Sequence, residues 1–201
     1  MRGIRPGPLG ALLALLACSL LGPALLTAPA TLAAAAASDP AATPPGRTLG
    51  APMAQACDLN AQERQIADLM QQDPGQKRAA FNCNAILARV ARARAEDMAA
   101  RGYFDHTNPD GFGPNYLVRQ AGYALPAWYG TGTTDNFIES ISAGSATAQE
   151  TFTRWLASPL HRTHILAETQ FYADQTNYGI GYFAGGPTRH YWVVLTAPPG
   201  P

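Results

Sequence analysis

Apolar positions along this chain follow three patterns, and each predicts a different kind of structure. The first pattern is continuous. From Leu9 to Leu26 the apolar run is broken only by Gly10, Ser19, Gly22 and Pro23, and it follows two arginines, Arg2 and Arg5. A basic start, an apolar stretch and then small residues (Thr27 to Ala30, Ala33 to Ser38) form the pattern of a cleaved export signal. A retained membrane anchor is the rival reading, because the run is almost long enough to span a bilayer. The expected organisation is a signal over residues 1–38, a flexible Ala/Pro-rich linker over 39–55 and one folded domain over 56–198.

In the second pattern apolar residues recur every three or four positions. Leu59, Ile66, Leu69 and Met70 predict a helix from Leu59 to about Gln72, capped by Asp58 and stopped by Asp73-Pro74-Gly75. Ile86, Leu87, Val90, Ala91, Ala95 and Met98 predict a stronger helix from about Asn84 to Arg101, with Gly102 as its terminating residue. A polar loop follows over Tyr103–Gly113, then a short helix from Pro114 to Gln120 ended at Gly122, then a long loop from Ala124 to Asp135. Thr147 and Glu150 stand in capping-box spacing before a helix that carries Phe152, Trp155 and Leu156 and stops near Pro159. A further turn is expected over His161–Leu166.

The third pattern is short and strand-like. Asn136–Ser142 holds Phe137, Ile138 and Ile141 with Glu139 among them. In Asn177–Ala184, Tyr178, Ile180 and Tyr182 alternate with Gly179 and Gly181, and Arg189–Thr196 carries Tyr191 to Leu195. Gly185-Gly186-Pro187-Thr188 between them predicts a hairpin. Two glycines in one strand imply that something packs closely over that face. Helices first and a hairpin last indicate an α+β layered domain.

Charge and cysteine content narrow the picture. The chain has 14 basic and 14 acidic residues, and without Arg2 and Arg5 the balance is 12 against 14. No basic stripe is present, which argues against nucleic acid as a partner. Cys18 leaves with the signal, so Cys57 and Cys83 remain; an even pair in an exported chain is expected to form a disulfide.

Glu139 is the unusual acid, because an isolated charge in an apolar run is expensive. It is expected to be paired with an arginine or a protonated histidine, bound to a metal, or raised in pKa. His106 sits in the polar loop, where packing gives no reason for it, and His161 and His164 are spaced to share one face of a turn. Two imidazoles and a carboxylate with an open position have the composition of a zinc site, here His106, Glu139 and His161. Their spacing matches no local metal motif. Ser158 lies three residues before His161 and offers a nucleophile reading, but no Gly-x-Ser-x-Gly elbow accompanies it, and Ser158-Pro159 also reads as turn chemistry.

These residues resemble a known family pattern. Phe104-Asp105-His106-Thr107-Asn108-Pro109-Asp110-Gly111 is similar to the F-S-H-x-x-P-D-G loop of bacterial CAP proteins, the SCP-like superfamily of cysteine-rich secretory proteins, antigen 5 and pathogenesis-related 1. Ala91–Met98 resembles its A-x-x-x-A-x-D-M helix, and Glu139-Ser140-Ile141 falls where the family has Glu-Asn-Ile. Thr147-Ala148, Trp155 and Ser158-Pro159-Leu160-His161-Arg162 resemble its T-A…W-x-x-S-P-G-H-R stretch. Gly179-Ile180-Gly181 and Tyr191-Trp192 match its two closing strands, so the resemblance runs from about Leu59 to Leu195. Ser140 and Leu160 depart from the pattern. Ser158 stands nearest to where animal and plant members place a second Glu, so a full His-Glu-Glu-His set is not supported.

The resemblance implies a three-layer α-β-α sandwich with a small central antiparallel sheet. It also implies that His106, Glu139 and His161 line one cleft, with Ser158 nearby. Cleft metal binding in some members, and lipid binding in a separate groove in others, make three readings for this chain. The first is a secreted binding module, without stable membrane insertion once the signal is removed, whose cleft takes a divalent cation such as zinc or a small ligand. The second is a hydrolase of peptide or cell-wall substrates in which the metal or Glu139 activates water. The third is a lipid-binding or structural envelope protein that uses the aromatics around Tyr178, Tyr182 and Trp192, although strands of this kind usually pack inward.

Overall fold

The computed structural model describes residues 57–200. The expected signal and the whole of the expected linker lie outside the described residues. The elements, in chain order, are α1 (Ala61–Gln72), β1 (Asn82–Cys83), α2 (Ala85–Arg101), α3 (Pro114–Gln120), β2 (Glu139–Ala143), α4 (Ala148–Ala157), α5 (Pro159–Ile165), α6 (Gln170–Ala173), β3 (Asn177–Ala184) and β4 (His190–Ala197). Among the described residues no helix is long and apolar enough to cross a membrane.

Local chemistry sets most of the boundaries. Helix α2 begins where the Asn84 side chain accepts from the Ile86 and Leu87 N–H groups, and ends where Gly102 turns left-handed at φ 68°. Helix α1 starts later than expected. Asn60, not Asp58, caps it, because Glu63 reciprocates by accepting from the Asn60 N–H at 2.8 Å. At α4 half of the expected box forms: Thr147 accepts from the Glu150 N–H at 3.2 Å, and Glu150 stays exposed. The long loop contains one turn of 3-10 helix, Ala127–Tyr129, and α6 was not legible in the apolar pattern.

The strands form one sheet in the order β1-β3-β4-β2. β3 and β4 make the expected hairpin, and β2 lies antiparallel to β4, with Glu139 opposite Leu195. The short β1 adds a parallel pairing to β3, so the sheet is mixed where a wholly antiparallel one was expected. Alternate side chains of a strand face opposite ways, and β4 shows it. Tyr191, Val193 and Leu195 pack with α2 and α3 on one face, while Trp192 and Val194 pack with α1, α4 and α5 on the other. This is the expected α-β-α sandwich. Tyr178 and Trp192 are buried in it and do not form a surface.

The two strand glycines bring α2 onto the sheet. A Cβ on Gly179 would stand 2.1 Å from the Leu87 carbonyl carbon, and one on Gly181 would stand 2.2 Å from that of Ala91. One turn further along α2 comes Arg94, and this close seat delivers it to the end of β2. The expected disulfide joins Cys57 to Cys83 with Cα atoms 5.8 Å apart, tying the segment before α1 to β1.

Candidate functional site

Alternation along β2 divides two neighbouring polar residues between the layers. Glu139 shares a face with Ile141 and turns toward α2, whereas Ser140 turns toward α5. Asn136 fixes the entry to the strand: its side chain accepts from the Glu139 N–H at 3.0 Å and donates to the Glu139 carbonyl at 3.3 Å.

The Glu139 carboxylate is fully buried, and both of its oxygens are hydrogen-bonded. Arg94 Nε donates to Oε2 at 3.1 Å and Arg94 Nη2 to Oε1 at 3.3 Å, while His106 Nδ1 lies 2.9 Å from Oε1. Arg94 also holds the loop that carries His106. Its Nη2 donates to the carbonyls of Asp105 and His106 at 2.8 and 3.0 Å, and its Nη1 to the Tyr103 hydroxyl at 2.6 Å. Burial alone would make Arg94 easier to deprotonate, but the charge of Glu139 and its hydrogen bonds outweigh that and raise its pKa. Of the alternatives for Glu139, pairing with an arginine therefore occurs, and the His106 ring adds a hydrogen-bond contact.

With the Glu139 carboxylate at Nδ1, the other ring nitrogen of His106, Nε2, is its remaining polar atom. His161, on α5, is held in a similar way: its Nδ1 lies 2.8 Å from the Ser158 hydroxyl. Burial first, and then the nearby charge of His106, lower the pKa of His161, so its ring is neutral at neutral pH. His106, Glu139 and His161 line one cleft of about 320 Å³, together with Phe137, Leu160 and Tyr172. Ser158 lines an adjoining depression with Phe104 and Trp155, and His161 borders both.

His164 behaves differently from His161 three residues earlier. It forms the floor of the cleft and uses both ring nitrogens, Nδ1 with Ser140 Oγ and Nε2 with Thr196 Oγ1, each at 2.7 Å. The Thr196 hydroxyl donates to Gln175 Oε1, so it accepts from His164 Nε2–H, and Nδ1 accepts from Ser140. Burial and the charge of Arg78 push the His164 pKa well below its ordinary value. Arg78 is itself buried, and among the described residues no carboxylate pairs with it. It donates to the carbonyls of His164, Ile165 and Gln175, and burial lowers its pKa to about 10.

The donor set can be tested against a cation. Glu139 stands behind His106, with Oε1 shared by His106 and Arg94 and Oε2 accepting from Arg94. Among the described residues no three His, Cys, Asp or Glu side chains form a ready ligand group. Two imidazoles remain, each with Nδ1 held by an acceptor-capable neighbour, which is how metal-ligating histidines are oriented.

Spacing alone did not reveal Arg94, Arg78 or the role of His164. Arg94 left one signal: it falls on the apolar stripe of α2, in step with Leu87, Ala91 and Met98.

A second, larger depression of about 440 Å³ lies between α2 and α3, lined by Val90, Ala93, Leu117 and Ala121 with Arg89 at hand, and it contains none of the histidines.

Comparison with known proteins agrees with this architecture. An uncharacterized protein of Bacillus subtilis (strain 168), YkwD, is 31% identical over 100 residues, which is 50% of this chain and 34% of that protein. The matched segment thus spans about a third of the relative's length. An extracellular protein containing an SCP domain from Bacillus anthracis str. Ames superposes with a TM-score of 0.50 at 19% identity, over 69% of this chain and 40% of that one. An outer surface protein from Borrelia burgdorferi gives 0.49 at 18% identity, over 68% and 88%. The CAP profile, described as the cysteine-rich secretory protein family, covers residues 54–195, and with that match over well more than half of its length the chain belongs to this family.

Proposed function

We propose that this protein is an exported binding module whose cleft holds a divalent cation between His106 and His161. The observation that carries this reading is the pairing of both rings at Nδ1, with Glu139 behind one and Ser158 behind the other. Imidazole donors suit zinc and neighbouring transition metals rather than calcium or magnesium. A bound cation would supply a Lewis-acidic point for a ligand oxygen, and the cleft leaves room beside it for a small molecule. Glu139 and Ser158 orient the rings, and Arg94 holds Glu139 in place. Export is supported by the leader-like residues 1–38, by the disulfide, and by the relative described as extracellular.

The test is a zinc titration of the full chain by calorimetry and thermal melting. A single site saturated to about 100 times its Kd adds about 2.7 kcal/mol of stability. His106→Ala and His161→Ala should abolish the heat and the melting shift, and Glu139→Gln should weaken binding about 10- to 100-fold. Equal zinc binding by the His106→Ala/His161→Ala double variant refutes the reading.

The groove between α2 and α3 favours a second reading, an apolar ligand held away from the histidines. Melting shifts with a long-chain fatty acid that persist in His106→Ala would support it.

A further inference from the structure

A tryptophan carries more apolar surface than any other side chain, so it is normally well buried. Trp155 and Trp192 follow the rule. Trp128 is 67% exposed, on the loop between α3 and β2. That loop is firmly framed. Arg119 donates to the carbonyls of Leu125, Pro126 and Gly130, and Asn115 donates to that of Tyr129. The buried Tyr129 hydroxyl in turn accepts from Gln175 at 3.2 Å. The indole is thus held out in solvent by rigid surroundings, and little ordering remains to oppose binding.

Its ring lies 4.3 Å from Tyr129 and meets Phe171 edge-on at 5.9 Å. Phe171 continues to Phe137 at 6.1 Å and to Tyr172 at 5.0 Å, both of which line the histidine cleft. Phe137 is itself 42% exposed. An aromatic shelf therefore runs from Trp128 to the cleft wall.

Charge decides which ligand suits this shelf. The charged groups in its frame are Arg119, engaged by carbonyls, Asp135, which accepts from the Gly132 N–H, and Asp174, which is exposed, accepts from Gln170 Nε2 at 2.7 Å through Oδ1, and whose charge reaches Tyr129. These offer no free cation, so an acidic lipid surface or a nucleic acid has nothing to pair with there. A neutral sugar ring fits better. Its C–H face is weakly positive and lies well on the negative face of an aromatic ring. Its hydroxyls donate to a carboxylate.

We propose that Trp128, with Phe171 and Phe137, forms a platform for a neutral glycan, with Asp174 accepting from its hydroxyls. The platform does not depend on the cation site.

The experiment titrates the full chain with neutral tetramers of β-1,4-linked N-acetylglucosamine and of β-1,4-linked glucose. Tryptophan fluorescence reports on Trp128, since Trp155 and Trp192 are buried, and calorimetry gives the affinity. The expected result is saturable binding by one of the tetramers, weakened tenfold or more in Trp128→Ala and kept within about threefold in Trp128→Phe. His106→Ala should bind the glycan as the wild type does, so loss of the cation reading would leave this result standing. Equal melting temperatures establish that the Trp128 variants fold. No saturable binding of either tetramer at millimolar concentration, or equal affinity in Trp128→Ala, overturns the proposal. Partition onto phosphatidylcholine vesicles without glycan binding overturns it in favour of a membrane surface.

Discussion

Arg94→Met keeps the length and apolar bulk of the side chain and removes its charge. Glu139, fully buried, would then retain only the hydrogen bond from His106, and the carbonyls of Asp105 and His106 would lose their shared donor. Removing one partner of a buried ion pair typically costs about 3–5 kcal/mol, because the other charge is left uncompensated. In a domain of this size that lowers the melting temperature by roughly 10–15 °C. Arg94→Met/Glu139→Leu removes both charges and fills the space with apolar atoms. It should return to within about 1–2 kcal/mol of the wild type. The assay is a double-mutant cycle by urea unfolding, read at constant m. A loss under about 1 kcal/mol in Arg94→Met, or a double variant whose loss equals the sum of the singles, would refute the view that this pair holds the His106 loop to the sheet.

Two further outcomes are expected. Because His164 stays neutral in the folded protein while the unfolded chain takes up a proton, stability is full above about pH 6.5. It declines as the pH falls, by up to about 1.4 kcal/mol per pH unit for this one group. His161, shifted in the same direction, adds to the fall. Urea titrations between pH 7 and 5 should show a shallower decline for His164→Gln, and equal slopes would count against the assignment. Gly181→Ala should cost about 3 kcal/mol, since its Cβ would meet the α2 backbone at 2.2 Å, whereas Gly122→Ala, with open space and only a φ of +92° to oppose it, should cost about 1–2 kcal/mol. Thermal melts that rank the two the other way would sink the packing argument.

Helix α2 was legible because every signal for it is local: a capping Asn84, a stripe of apolar residues and a left-handed Gly102. A close approach to one face of β3 was legible too, since glycine at two alternating strand positions has few other uses; that α2 makes it was not. The start of α1 was not. Asp58 and Asn60 are both good caps, and the choice fell to Asn60 because Glu63 answers it. Strand β1 was invisible because two residues carry no period; it exists because β3 had an open edge beside Asn82.

The site divides in the same way. The sequence by itself, through motif resemblance, grouped His106, Glu139 and His161 and marked Glu139 as a charge that needed a partner. It even contained the complementary oddity, an arginine on the apolar stripe of α2. Only the tertiary structure joined the two, across a separation of 45 residues, because the partner of a buried charge depends on how the layers stack. It also separated the histidines of α5. Both border the cleft, but the two ring nitrogens of His164 are taken up by Ser140 and Thr196, which come from two different strands. Local spacing records which residues share a face of their own element; which residues meet across elements is decided by packing.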